Sequence, residues 1–155
     1  MMKNTFSASE IVAILQSEGY RAVYEHDGID NAYISSGGQG NFWEINIGDT
    51  QDDEQMENVV ITYLMSVNPV VFPVGKICND YNRATRFGTA SYSFDDDLDF
   101  EDSTFIRLDM GFSFDGGVSN DWLINQIRMW DVCVQIFIDT IHENEETVSD
   151  DASLS

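Results

Sequence analysis

Seven bulky apolar residues near the end of the chain, Leu123, Ile127, Trp130, Val134, Phe137, Ile138 and Ile141, recur at steps of four, three, four, three, one and three. An α-helix turns once in about 3.6 residues, so these steps gather all seven on one side. The stripe is wide, of the kind that lies on a sheet. Ser119 stands where the first free N–H groups of such a helix need an acceptor. The rest of the chain must therefore supply a sheet with an apolar face.

It has the residues to do so. Tyr20 to Glu25 alternates, His26-Asp27-Gly28 reads as a turn, and Asp30 to Ser35 returns. Gly37-Gly38-Gln39-Gly40 breaks the chain before Asn41 to Ile47, where Trp43, Ile45 and Ile47 face one way and Phe42, Glu44 and Asn46 the other. Val59 to Val67 carries bulk in both phases, and its β-branched residues decide for a central strand over a helix. Arg86 to Phe94 and Thr104 to Phe112 alternate as a pair joined by the acidic loop Asp95 to Asp102.

Two further helices complete the pattern. Ser7-Ala8-Ser9-Glu10 matches a capping box, Ile11, Ile14 and Leu15 follow at helical spacing, and Gly19 suits a left-handed stop. Pro73 fits the first turn of a second helix running to about Arg83. The predicted fold class is α+β: an antiparallel sheet of about six strands with helices packed on it, in the order α-β-β-β-β-α-β-β-α. Residues 7–143 form one domain in this reading, and 144–155 an acidic, disordered tail.

Charge narrows the partners. Seven Lys and Arg stand against 28 Asp and Glu, a formal charge of −21. Such a chain cannot neutralise many phosphates, which argues against nucleic acid and against anionic membrane surfaces. Basic proteins, basic peptide segments or divalent cations suit it better. No run approaches the roughly 20 apolar residues of a membrane span, and the N-terminus lacks the apolar core of a secretory signal. Cys78 and Cys133 form no CxxC and read as two buried, reduced thiols, which fits the cytoplasm.

No catalytic, cofactor or metal constellation emerges. Asp95, Asp97 and Asp99 occupy the first, third and fifth positions of a calcium loop, but Phe100 and Ile106 stand where Gly and Glu are required. A solvated hairpin loop is the simpler reading; a Ca²⁺-responsive regulator built on Asp95 to Asp102 is the rival. Asp52, Asp53 and Glu54 are loop carboxylates without the burial that general acid–base work needs. His26 and His142 cannot make a histidine-rich site. The glycine run lacks the Gly-Lys-Ser/Thr ending and the following helix of a phosphate loop. An enzyme with an unrecognised site is the third reading, and it would need a deep pocket of converging polar groups.

The stretch Ile77 to Ala90 contains Asn79-x-x-Asn82-Arg83 at a helix end and Arg86-Phe87 at a strand start, and Gly116-Gly117-Val118 opens the terminal helix. With the Ser7 helix and the strands after it, this resembles the YbjN-like family over roughly residues 7–141. The resemblance implies a fold like that of type III secretion chaperones, often dimeric, acting on partner proteins without catalysis; family members are described as bacterial sensory-transduction regulators. Asn79 and Asn82 match family positions, where they could tie the helix end to the next strand.

By alternation Trp43, Ile45, Ile61, Tyr63, Tyr92, Ile106 and Leu108 form the core. Phe42, Leu64, Phe87, Phe105 and Arg107 then lie on the opposite face. If that face is open, it is a surface for a protein or peptide segment or for a second copy, and the chain is a non-enzymatic adaptor or regulator.

Overall fold

The computed structural model describes residues 2–27, 31–38, 41–48, 55–94 and 104–145. Three helices, α1 (Ala8–Ser17), α2 (Val74–Ala84) and α3 (Asn120–Glu143), accompany six strands. The strands are β1 (Arg21–Asp27), β2 (Asn31–Gly38), β3 (Asn41–Gly48), β4 (Asn58–Val67), β5 (Thr89–Phe94) and β6 (Thr104–Ser113). They form one antiparallel sheet in the order β1-β2-β3-β4-β6-β5, and the predicted element order holds throughout. Backbone contacts divide the chain into two compact units, Met1–Tyr63 with Asp109–Asp131, and Leu64–Leu108 with Val132–Ser155.

In the first unit the capping box forms as read. The Ser7 hydroxyl accepts from the Glu10 N–H at 3.2 Å, and the Glu10 carboxylate accepts from the Ser7 N–H at 3.3 Å. Gly19, at φ 88°, turns the chain from α1 into β1. Residues ahead of the capping box also pair within this unit. Lys3 bridges to Val118, Phe6 bridges to Met56, and the fully buried Phe6 ring meets Phe114 edge-on at 4.7 Å. The glycine run serves a hairpin: a Cβ on Gly37 would come within 1.9 Å of the Asn41 carbonyl oxygen, so only glycine allows β3 to return this closely. Ser119 caps α3, accepting from the Trp122 N–H at 3.0 Å. The core holds Ile11, Leu15, Ile34, Trp43, Ile45, Ile61, Leu123, Ile127 and Trp130.

In the second unit Tyr81, Ile77, Phe137, Val134 and Ile141 are buried, with the Tyr81 and Phe137 rings edge-on at 5.4 Å. Pro73 lies one residue before the helix, as its N-cap. The corner after α2 is pinned twice. Asn82 donates to the Ala90 carbonyl at 3.0 Å and accepts from the Ala90 N–H at 2.9 Å, while the Tyr81 hydroxyl donates to the Phe87 carbonyl at 2.8 Å. The Asn82 amide thus takes the place of a neighbouring strand for one residue of β5. Asn79, its companion in the family motif, is exposed.

Candidate protein-binding surface

Register places the outward side chains across the first four strands in rows. Val23 pairs with Ser35, Ser35 with Glu44, and Glu44 with Thr62; Glu25, Tyr33, Asn46 and Val60 form the next row, and Gly37 with Phe42 the row on the other side. The partners in between point inward: Ala22, Ile34, Ile45 and Ile61 are all buried. On the outward side Phe42 is 69 %, Val23 57 % and Val60 40 % exposed. Polar groups interrupt these apolar ones. Asn46 donates to the Thr62 hydroxyl at 3.2 Å, and that hydroxyl donates to the Asp109 carboxylate at 2.6 Å.

In the second unit Leu64 is 54 % exposed, Arg107 is exposed and Phe105 half-buried. All three stand on the outward phase of the neighbouring strands β4 and β6, because Tyr63, Ile106 and Leu108 are buried. Phe87 requires a correction. Strand β5 begins at Thr89, so Phe87 sits on the bend before it, exposed but not on a strand face shared with Phe105. The cause is the Tyr81 hydroxyl bond to its carbonyl, which holds that residue to the helix end.

Tyr92 is the second correction: it was expected in the core and is 44 % exposed. Its phase is right, since Ala90 on the same side is buried, and a Cβ on Gly75 of α2 would stand 3.7 Å from the Tyr92 hydroxyl. On an edge strand, however, a ring can be covered from only one flank. The remaining core positions, Trp43, Ile45, Ile61, Tyr63, Ile106 and Leu108, are buried as read.

Sequence reading missed Asp131. The Tyr20 hydroxyl donates to this carboxylate at 2.5 Å and the Trp43 indole N–H at 3.2 Å. Arg128 and Glu18 pair nearby at 2.5 Å. The signal was present: position 131 lies four residues after Ile127 and three before Val134, inside the apolar stripe. Burial holds the Tyr20 hydroxyl above its ordinary range, reinforced by the Asp131 hydrogen bond, so it remains a donor. Burial also raises the Asp131 carboxyl, outweighing the hydrogen bonds from Tyr20 and Trp43 that favour its charged form.

The sign of the pH effect follows. A carboxyl raised by folding holds its proton more tightly in the folded chain. Its contribution to stability is complete below the unfolded value of about 4 and disappears as pH rises through the folded value. Asp131→Asn retains both bonds, accepting from Trp43 and donating to Tyr20. The stability difference between wild type and this variant is therefore expected to shift against wild type as pH rises from about 4. Urea unfolding of both proteins across that interval measures it; a difference independent of pH would show that burial does not control this group.

The remaining chemical candidates are placed simply. Cys78 and Cys133 are buried free thiols; burial pushes Cys78 up to about 11 and raises Cys133, so both stay protonated. Arg83 ends α2 beside a depression lined by Asp80, Ala84, Thr140 and Glu143. There Thr140 donates to its own helix at the Ile136 carbonyl, and Lys76 beside Asp80 draws that carboxyl below its ordinary range. His142 lies in the last turn of α3, its ring 6.4 Å from that of Phe72. Among the described residues no group of three or more His, Cys, Asp or Glu could hold a metal ion, and no helix is long and apolar enough to cross a membrane. The Asp52 to Glu54 patch, the Asp95 to Asp102 loop and, from residue 146 on, the acidic tail lie outside the described residues.

Comparison with known proteins agrees with this architecture. The sequence model of the YbjN family, described as "Putative bacterial sensory transduction regulator", matches residues 7–143. Two solved structures share the fold. One is YbjN from E. coli, titled a "putative transcription regulator", with a TM-score of 0.60 at 14 % identity, covering 91 % of this chain and 96 % of that one. The other is an uncharacterized protein from Methanothermobacter thermautotrophicus, with a TM-score of 0.59 at 16 % identity, covering 90 % of this chain and 99 % of that one. No curated protein matches the sequence at a significant level.

Proposed function

The chain belongs to the YbjN family, and we propose that it is a non-enzymatic regulator that works by holding a segment of a partner protein against the open face of its sheet. The observation that carries this reading is the exposure of large apolar side chains on strand positions that face away from the core, Phe42 at 69 % and Leu64 at 54 %. Exposed apolar side chains set in a polar surround are a feature of sites that another molecule covers. Arg107, among Leu64 and Phe105 on adjacent strands, adds a planar cation of the type enriched in protein interfaces. In this reading the protein is an adaptor or chaperone-like protein of the cytoplasm whose occupant is a segment of another protein, with a second copy as the alternative.

Replacing Leu64 and Phe105 together by serine tests the reading. Leu64 is exposed and Phe105 half-buried, so folding should persist. Affinity capture from the source cells, with crosslinked peptides mapped by mass spectrometry, should lose partners that crosslink to β4 and β6 in the wild type. Unchanged capture and crosslinks would remove this surface from consideration.

A further inference from the structure

We propose that the outward face of β1 to β4 within the Met1–Tyr63 unit receives an amphipathic helix of a partner protein that carries an arginine or lysine between its apolar residues. The proposal deepens the reading of the sheet face as a partner surface and rests on it. Its basis is the arrangement of three exposed apolar side chains, Val23, Phe42 and Val60, around one exposed carboxylate, Glu44.

Register sets their spacing. Outward residues on one strand stand about 7 Å apart and neighbouring strands about 4.8 Å apart. On that grid Val23 and Phe42 are about 12 Å apart, Phe42 and Val60 about 14 Å, and Val23 and Val60 about 16 Å. Glu44 falls inside the triangle. A helix rises about 1.5 Å per residue and is about 10 Å wide, so residues i, i+7 and i+11 share a side and span the Val23–Val60 diagonal. Seated there, such a helix has the Phe42 ring along its flank. Its i+4 residue comes above Glu44, where a cation meets a carboxylate that apolar contacts screen from water.

Charge decides between a basic partner and a second copy. The protein carries a formal charge of −21, and the exposed Glu25 stands on the same face as Glu44, with Asp109 at its margin accepting from Thr62. One cation, the exposed Arg21 in the Phe42 row, offsets part of this, and the face keeps a net negative charge. Two copies meeting through this face would bring two surfaces of like net charge together, which opposes association. A basic helix reverses that term and adds a dependence on ionic strength.

The test uses the full chain and two fluorescein-labelled, end-capped alanine-based helices of about 20 residues, long enough to hold helix in water. Both have leucine at i, i+7 and i+11; one has arginine and the other glutamate at i+4. Fluorescence anisotropy should show the arginine helix binding at least about tenfold more tightly, and added salt should narrow the gap. Glu44→Gln should remove most of the discrimination, and Phe42→Ser should weaken both helices about tenfold, with circular dichroism unchanged.

Equal binding of both helices with intact dependence on Phe42 would overturn the basic helix and leave the face as a partner surface. Binding indifferent to Phe42 and Glu44 would overturn the location. No binding to wild type overturns the proposal, as does a dimer in sedimentation velocity that Phe42→Ser disperses, since the occupant is then a second copy. Failure of the broader reading shows separately, as unchanged capture by the Leu64 and Phe105 variant.

Discussion

Trp43→Ala is expected to lower the unfolding free energy by about 3–5 kcal/mol, the range for removing a large aromatic side chain from a packed core. The ring is 1 % exposed, so nearly all of its area leaves water on folding. Its removal has a second consequence. The indole N–H donates to Asp131, and without it a half-buried carboxylate keeps only the Tyr20 hydroxyl. Trp43→Phe separates the two effects: the ring is largely retained, the donor is lost, and the expected cost is about 1–3 kcal/mol. A double-mutant cycle with Asp131→Ala should show strong non-additivity, because each change removes the other's partner. Urea unfolding supplies all four values. A loss below about 1 kcal/mol for Trp43→Ala would mean that the ring is not the core residue its burial indicates.

Asn82→Ala is the second large effect, expected at about 2–4 kcal/mol. One side chain satisfies both the N–H and the carbonyl of Ala90, a residue that is itself 4 % exposed. Alanine leaves two backbone groups without partners, each worth about 1–3 kcal/mol when water cannot replace the bond. Asn82→Asp is nearly as damaging by this argument: it preserves the acceptor for the Ala90 N–H but aims a carboxylate oxygen at the Ala90 carbonyl. Amide hydrogen exchange at Ala90 reads the effect locally, and faster exchange in Asn82→Ala, with less change in Asn82→Asp, is the expected result. Protection unchanged in Asn82→Ala would show that the helix–strand corner is held by other contacts.

The Asn82 result also explains a motif. Asn-x-x-Asn-Arg at the end of α2 resembles a family signature, and sequence reading assigned its asparagines a tying role. That role belongs to Asn82, whose side chain is exposed like that of Asn79 but bonds both backbone groups of Ala90. Two residues three apart on a helix differ by about 60° around its axis, enough to bring one of them within reach of β5.

Local rules were legible because they are written in neighbouring residues. The Ser7 capping box, the Gly19 turn, the Ser119 cap and the alternation of Trp43 and Ile45 against Phe42 and Glu44 all appear in the structure as read. Where alternation failed, at Tyr92, the phase was right and the cover was missing. Side-chain period states which way a residue points, not how much protein lies above it. The strand start at Arg86 failed for a different reason: a Tyr81 bond to the Phe87 carbonyl holds the chain to the helix end.

Periodicity and capping chemistry thus carry the elements, their order and the direction of most side chains, since each depends on contacts within a few residues. The Asp131 node belongs to another level. Its partners lie 88 and 111 residues away along the chain, and no local rule brings Trp43 and Tyr20 to one carboxylate. The same holds for the triangle around Glu44, which exists only once three hairpin registers are set. Those registers depend on how a whole sheet buries its inner side, and burial is a property of the assembled molecule.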